Sequence, residues 1–364
     1  YAQEVEGFRR DVRIVNLSLL AGDWYIDQMK RKAYESDGVP ISFTKDQYHA
    51  GVRDFVTIEE RVQQPFSMKE VMEFVASDRP ETKSNRYQGG AVDFIPTRNL
   101  YIPVDKEKVL VNGTVQPEDS ALIVDRVEIQ LKGNSLTKSQ LMVLDILATN
   151  NWERPIYFGV GMGQDSYMGF DKYFQLEGAA YRVVPIKTEN NAAYYDFGRI
   201  NTEILYDNLM NKFKFGGIDK PGIYIDENVM RMCYTHRRVF AQLIEQLMKE
   251  GQKDKALAAL DYAEKMIPAY NVPYDWQNGA VQMAEAYYQL GQTEKADKIM
   301  DALANKAIEY MTWYLSLDDS QFFVSTREFE YHIALLNEEL KLMEKYKSKL
   351  SENYSGKLDE LYGM

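Results

Sequence analysis

The segment Gly251-Gln-Lys-Asp-Lys-Ala256 recurs as Gly291-Gln-Thr-Glu-Lys-Ala296, and this repeat decides how the later part of the chain folds. The offset between the two glycines is 291 − 251 = 40 residues. Before the first copy, positions 240, 243, 244 and 247 are apolar, which is the spacing of one helix face. Glycine commonly ends a helix in the left-handed conformation, and an acidic residue favours the first turn of the next helix. Each copy therefore predicts a helical hairpin.

These hairpins resemble tetratricopeptide repeats, whose usual period is 34 residues. The six-residue insert Pro268-Ala-Tyr-Asn-Val-Pro273 accounts for the difference between 34 and 40. A last helix is predicted to start at Ser325-Thr-Arg-Glu328. Its apolar residues from Phe329 to Met343 alternate steps of four and three, a seam that needs a partner surface.

The earlier part of the chain mixes strand and helix signals. Thr137-Lys-Ser-Gln140 is a capping box that opens an apolar helix, and Arg154–Phe158 and Tyr181–Ile186 are typical of strands. The sequence thus predicts an α/β or α+β layer domain over residues 1–225. An all-α domain of tetratricopeptide-like hairpins is predicted to follow over residues 226–364.

The opening stretch Asp11-Val-Arg-Ile-Val-Asn-Leu-Ser-Leu-Leu20 is dense in apolar residues, which predicts a buried strand. A buried strand so near residue 1 indicates that the chain starts inside a structural unit. We therefore expect it to be a piece of a longer protein.

Composition limits the classes of function. The 364 residues carry a formal charge of −12, which argues against general nucleic-acid binding because that needs a basic surface. No apolar run approaches the roughly 18 residues of a membrane-spanning helix. The single cysteine, Cys233, excludes an internal disulfide, and it is expected to be a packing residue. None of the three histidines stands at a zinc-ligand spacing, so we predict neither a metal nor a cofactor.

A glycine-rich loop is the first candidate ligand site. Gly159, Gly161 and Gly163 follow a predicted strand, but the third glycine of the dinucleotide fingerprint is absent because position 164 is Gln. The loop could still admit the close approach of a ligand, or it could be an ordinary connection.

Two further sets of charged residues are candidates. Asp145 lies inside the apolar helix, and a buried carboxylate needs a partner. It could form a salt bridge or a bond to a neighbouring loop, or it could face a ligand. Arg231, His236, Arg237 and Arg238 form a basic group that could meet a phosphate or a lipid headgroup. The alternative for this group is a solvated helix face with ordinary ion pairs.

Several segments together resemble one family, more specifically than any single motif does. They are Gln3–Leu20, Trp24–Ile26, Leu136–Trp152, Arg154–Phe158, Leu176–Ile186 and Phe213–Gly217. The set is similar to the soluble C-terminal region of a bacterial membrane-protein family of unknown function, related to protein O-mannosyltransferases of the GT-C type.

The resemblance implies a parent that uses a lipid-linked sugar donor. GT-C enzymes carry their catalytic acid in an early extracytoplasmic loop, so no catalytic residue can be assigned to this chain. The chain would then lie on the periplasmic face of a bacterial inner membrane, attached through upstream transmembrane helices. Its expected partners are those helices and a protein or glycan acceptor, and it would not catalyse alone.

Two other functions stay open. The helical repeats could make the chain a protein-interaction scaffold without sugar chemistry, because stacked helix pairs form concave binding surfaces. A free-standing hydrolase would need a cluster of acid, base or metal ligands near Asp145 or the Gly159–Gly163 loop, and the sequence contains no such motif.

Overall fold

The computed structural model describes residues 2–85, 90–189 and 197–362. The chain divides into two compact units, Tyr1–Leu176 with Ala180–Arg199, and Glu177–Ala179 with Ile200–Met364. Strands and helices are mixed in the first unit, whereas the described residues from Thr202 onward contain helices and no strand. A mixed α/β part is therefore followed by an all-helical part, which is the order of fold classes that the sequence predicts.

The first unit contains short strands and five α-helices among its described residues. The strands are β1 Phe55–Ile58, β2 Phe66–Ser67, β3 Lys83–Ser84, β4 Val92–Ile95, β5 Asn99–Pro103, β6 Arg126–Gln130, β7 Ser135–Thr137, β8 Tyr157–Gly159, β9 Phe174–Leu176, β10 Ala180–Val183 and β11 Arg199–Ile200. The helices are α1 Asp23–Met29, α2 Lys45–Tyr48, α3 Met68–Ala76, α4 Lys106–Val111 and α5 Lys138–Asn150.

The strands form small sheets with the orders β3-β4-β1-β7, β2-β5-β6 and β11-β9-β10-β8. β1 pairs parallel with β4, and β2 with β5, while the pairs β1–β7, β5–β6 and β8–β10 are antiparallel. The sheets that contain β1 and β5 each combine parallel and antiparallel pairs, and all the strands are short.

Helix α5 is buried on nearly every side. Leu141, Met142, Leu144 and Asp145 are each fully buried, and α3 packs against the helix. A helix with so little exposed surface lies inside the core, which explains why its middle, residues 141–148, is apolar except for Asp145. Thr137 caps its start in the predicted capping box, which the structure confirms.

The predicted buried strand over residues 11–20 is wrong. Residues 12–16 have no regular structure and turns follow, with Ile14 67% exposed and Leu20 alone fully buried. The backbone N–H of Asn16 donates to the Tyr25 hydroxyl at 2.8 Å, where a strand would bond to a neighbouring strand. Apolar density alone cannot reveal whether a partner strand exists, and a strand needs one.

The second unit is a series of helices. They are α6 Thr202–Asp207, which continues as a π-helical turn over Asn208–Lys212, α7 Glu227–Lys249, α8 Lys253–Met266, α9 Ala280–Gln289, α10 Thr293–Leu315, α11 Asp319–Lys345 and α12 Leu350–Tyr362. α7 packs on α8 and α9, α9 packs on α10, and α10 packs on α11 and α12. The repeat glycines Gly251 and Gly291 have φ of +74° and +72°, so both adopt the predicted left-handed conformation between paired helices.

The predicted start of the last helix at Ser325 is wrong. Helix α11 begins at Asp319, because the Asp318 carboxylate accepts hydrogen bonds from the backbone N–H groups of Ser320 and Gln321, each at 3.0 Å. α12 then follows it. The apolar seam is covered only towards its end, where Leu336, Leu340 and Met343 are buried, and the first half of α11 contributes no buried residue.

Candidate functional site

A cleft of about 250 Å³ opens at the N-terminal end of helix α5. Its walls come from the opening segment, the first turns of α5 and the stretch after the glycine-rich loop. The lining residues are Leu17, Ser18, Thr137, Ser139, Gln140, Val143, Asp165, Ser166 and Met168. The cleft therefore brings together three segments that are far apart in the sequence.

Local hydrogen bonds position these side chains. The Gln140 Oε1 atom accepts from the Thr137 backbone N–H at 2.9 Å, which fixes the first turn of α5. The 3₁₀ helix Gln164–Tyr167 presents Asp165 and Ser166, and it ends at Met168 in the left-handed conformation with φ of +52°. The cleft is thus framed by ordered backbone on at least two sides.

The chemistry of the walls suits a neutral ligand with hydroxyl groups. Serine and threonine hydroxyls, the Gln140 amide and the Asp165 carboxylate supply hydrogen-bonding groups, and Leu17, Val143 and Met168 supply apolar surface. No lysine, arginine or histidine is among the lining residues. Concave sites of this kind bind through apolar contact and gain orientation from a few polar groups.

The predicted glycine-rich loop leads into this cleft. Gly159 ends β8, and Gly163 precedes the 3₁₀ helix that carries Asp165. A Cβ atom at Gly161 or Gly163 would meet nothing within 4 Å, and neither residue has a positive φ. A short 3₁₀ helix, not an α-helix, follows the loop, so a dinucleotide phosphate would find no helix N-terminus here.

Asp145 is fully buried and bonds to a neighbouring loop, one of the three alternatives that the sequence leaves open. Its Oδ2 atom accepts from the Ser42 backbone N–H at 2.7 Å, and Oδ1 accepts from the Ser42 hydroxyl at 2.6 Å. Burial raises the pKa of the Asp145 carboxyl, and the Ser42 hydrogen bonds oppose that rise. A ligand would have to displace Ser42 to reach this carboxyl.

The substitution Asp145→Asn is expected to destabilise the chain by about 1–2 kcal/mol at pH 7. The amide presents one acceptor oxygen where the carboxylate has two, so one Ser42 donor loses its partner and the buried side chain loses one of its hydrogen bonds. Urea unfolding measures the loss. The matched control is Asp125→Asn at an exposed ion pair with Lys106, where less than about 0.5 kcal/mol is expected. Equal stability of the Asp145 variant and the wild type would contradict this role.

A second cleft of about 270 Å³ lies at the other end of α5. Its lining residues are Ser67, Met68, Lys69, Tyr101, Ile102, Pro103, Ala148, Thr149 and Asn151. It contains no predicted site residue.

The backbone at one wall of this second cleft is strained. Asn151 and Trp152 have φ of +45° and +60°, a region that non-glycine residues rarely occupy. The Lys108 ammonium donates to the Asn151 carbonyl at 2.7 Å, the Asn112 amide donates to the Trp152 carbonyl at 2.7 Å, and the Trp152 indole N–H donates to the Pro103 carbonyl at 2.9 Å. These bonds hold the strained corner in place.

The four basic residues of the predicted group do not share one exposed face. Arg231 is exposed and forms an ion pair with Glu227, whereas His236 is half-buried and its ring lies against Phe213 and Phe215. Burial lowers the pKa of His236. Arg238 is half-buried, and Arg237 is fully buried.

Arg237 holds the insert that lengthens the helical repeat. Its guanidinium donates to the carbonyls of Ile267 and Val272 at 2.7 Å and of Pro273 at 3.0 Å, and it lies 5.0 Å from the centre of the Tyr274 ring. Burial lowers its pKa, and nearby Glu264 opposes that fall. The sequence alone gives no indication that this charged side chain, on an amphipathic helix, points inward.

A second buried charge, Glu339, was also missed by the sequence reasoning. It is 1% exposed; its Oε1 atom accepts from the Trp276 indole N–H at 2.5 Å, and its Oε2 atom has no hydrogen-bond partner among the described residues. Burial raises the pKa of Glu339 to about 7. Its place between Leu336 and Met343 on the apolar seam is the signal that could have revealed it.

Cys233 is buried, as predicted, and burial raises the pKa of its thiol. In the described part of the chain, no group of three His, Cys, Asp or Glu side chains is arranged to hold a metal ion. Within residues 2–85, 90–189 and 197–362, no helix has both the length and the hydropathy needed to cross a bilayer.

A family model described as TMEM260-associated domain 2 matches residues 1–204, which is more than half of the chain and includes all residues that line the two clefts described above. No curated protein sequence and no solved structure matches.

Proposed function

Because the chain belongs to the TMEM260-associated domain 2 family, we propose that it is the periplasmic module of a glycosyltransferase-like membrane protein. In this proposal the parent is related to protein O-mannosyltransferases and uses a lipid-linked sugar donor. Upstream transmembrane helices attach the module to a bacterial inner membrane. The module binds a protein or glycan acceptor and does not catalyse alone.

The family match over residues 1–204 is the main observation that supports the proposal. It covers the cleft at the start of α5, whose hydroxyl, amide and carboxylate groups over apolar side chains suit a sugar or a serine- and threonine-rich peptide. The formal charge of −12 opposes a nucleic-acid partner. The segments that carry the family resemblance, residues 3–20 and 136–152, supply six of the nine lining residues.

A blocking substitution in the cleft tests acceptor binding. Ser139 is half-buried on the first turn of α5, and in Ser139→Trp an indole would fill the space that a ligand needs. We expect saturation-transfer NMR to detect binding of an α-linked mannose disaccharide or a serine- and threonine-rich peptide to the wild type. The variant should bind at least about tenfold more weakly, a loss of about 1.4 kcal/mol.

The matched control is Ser120→Trp, which places the same indole on an exposed 3₁₀ helix outside the cleft. It should leave the affinity unchanged. Binding by Ser139→Trp equal to that of the wild type would exclude this cleft as the acceptor site. Sugar transfer by the chain alone would contradict the non-catalytic role.

A separate experiment tests localisation. A reporter enzyme that is active only in the periplasm, fused to the module within its parent protein, should be active if the module is periplasmic.

A protein-interaction scaffold is the second candidate function. The hairpins α7–α8 and α9–α10 with their left-handed glycines support a tetratricopeptide-like arrangement for this region, with a lengthened period. Exposed aromatic side chains on α10 and α11 favour this candidate in particular.

A further inference from the structure

The hairpin of α10 and α11 ends in an exposed apolar tip, defined here as residues 309–331. Trp313 is 54% exposed near the end of α10, and Phe323 and Val324 are 81% and 76% exposed on the first turns of α11. Tyr310 and Tyr331 add two further exposed aromatic side chains. Scattered apolar residues are normal on a protein surface, but five large exposed ones on one short hairpin indicate an interaction site.

The tip forms because α11 extends beyond its covered half. The buried residues of α11 are Leu336, Glu339, Leu340 and Met343, all in its later half. The capping box at Asp318 starts the helix early and gives Phe323 and Val324 rigid positions. Rigid helical backbone presents these side chains without further ordering, which lowers the entropic cost of binding a partner.

Carboxylates surround the apolar side chains. The tip contains five acidic residues and one arginine, Arg327, so its formal charge is 1 − 5 = −4; the acids are Glu309, Asp318, Asp319, Glu328 and Glu330. All six are exposed, and none of them forms an ion pair within the described residues. The charges of Glu309, Asp319, Glu328 and Glu330 are therefore available to a partner, whereas the Asp318 carboxylate caps α11.

We propose that the tip docks an amphipathic helical segment of a partner protein, with apolar side chains flanked by lysine or arginine. The apolar face would cover Phe323, Val324 and Trp313, and the basic flanks would meet the carboxylate rim. The same charge disfavours the other occupants. An anionic lipid surface and the tip of a second copy, also at −4, would both be repelled. The proposal makes the second candidate function specific and does not depend on acceptor binding by the first unit.

The probe is a fluorescein-labelled 18-residue helical peptide of leucine and lysine, titrated with the whole chain and followed by anisotropy at 50 and 300 mM salt. The comparison peptide replaces every lysine by glutamate. We expect the lysine peptide to bind, and its affinity to fall at the higher salt concentration. The glutamate peptide should bind at least tenfold more weakly.

Two double variants separate the apolar and the charge contributions. Phe323→Ser with Val324→Ser keeps the charge and should weaken binding at least tenfold, because these are the two most exposed apolar side chains of the tip. Glu328→Gln with Glu330→Gln keeps the apolar residues; it should weaken binding about threefold at 50 mM salt and reduce the salt dependence. The control Tyr224→Ser removes a 91% exposed aromatic side chain outside the tip and should change nothing.

Three results would overturn the proposal. One is unchanged binding after the Phe323 and Val324 substitutions, with circular dichroism showing that the variant is folded. Another is binding of the wild type to phosphatidylcholine or phosphatidylglycerol vesicles that the same substitutions abolish, which would identify a lipid surface. The third is a dimer in sedimentation that the substitutions dissociate, which would identify a second copy as the occupant.

Discussion

The substitution Arg237→Met is expected to destabilise the second unit by about 3–5 kcal/mol, the usual cost of removing one partner from a buried charged network. The guanidinium donates to three backbone carbonyls of residues 267–273. Methionine fills similar space but offers no donor, so the carbonyls of Ile267 and Val272 lose their partner, while that of Pro273 keeps the Asn278 amide. Glu264 also loses its nearby positive charge. The free energy of unfolding in urea, followed by far-ultraviolet circular dichroism, measures the effect.

Arg231→Met is the matched control for this prediction. Arg231 is on the same helix, and its exposed side chain forms an ion pair with Glu227. Exposed pairs contribute between 0 and about 1 kcal/mol, so this variant should unfold almost like the wild type. If Arg237→Met lost no more stability than Arg231→Met, the guanidinium would not be holding the insert.

The chain is expected to lose about 3 kcal/mol of stability through Glu339 as the pH rises from about 4.5 to above 7. The pKa of this buried carboxyl is about 7, above the ordinary value of 4.5. Between these values the folded chain holds a proton that the unfolded chain has released. The contribution of Glu339 to stability is fully present below about pH 4.5 and is lost as the pH rises through 7. Each unit of difference between the two pKa values corresponds to about 1.36 kcal/mol.

Glu339→Gln should remove this part of the pH dependence. Glutamine has the shape of the protonated acid, and its carbonyl can still accept from the Trp276 indole N–H. The variant should match the wild type near pH 5 and exceed its stability at pH 8, as measured by urea unfolding at both pH values. Asp145 and Glu264 also have raised pKa values, so the difference between variant and wild type isolates Glu339.

The neighbouring residue supplies the control for this second prediction. Glu338→Gln makes the same chemical change at an exposed carboxylate that pairs with Lys341 at 2.6 Å. It should leave the slope of stability against pH unchanged. A wild-type slope in the Glu339→Gln variant would mean that this carboxyl is already ionised in the folded chain at pH 5.

Only part of the candidate cleft could be predicted from sequence patterns. The capping box at Thr137 and the glycine-rich loop were each visible as separate motifs, because caps and turns depend on neighbouring residues. That the capping box and the stretch after the glycine-rich loop meet Leu17 and Ser18 at one cleft was not visible, since Leu17 and Ser18 are more than 100 residues from both. The opening segment was mistaken for a strand for the same reason: pairing partners are not encoded locally.

By itself, the sequence determined the elements that depend on local chemistry. It specified the mixed first part, the helical second part, the left-handed glycines at 251 and 291 and the cap of helix α5, because these follow from periodicity and backbone preference. Only the tertiary structure decided which charges are buried. Arg237 and Arg231 are alike in the sequence, yet one is enclosed by the insert and the other faces solvent. Burial is a property of what packs against a residue, and for a long-range contact that information lies elsewhere in the chain.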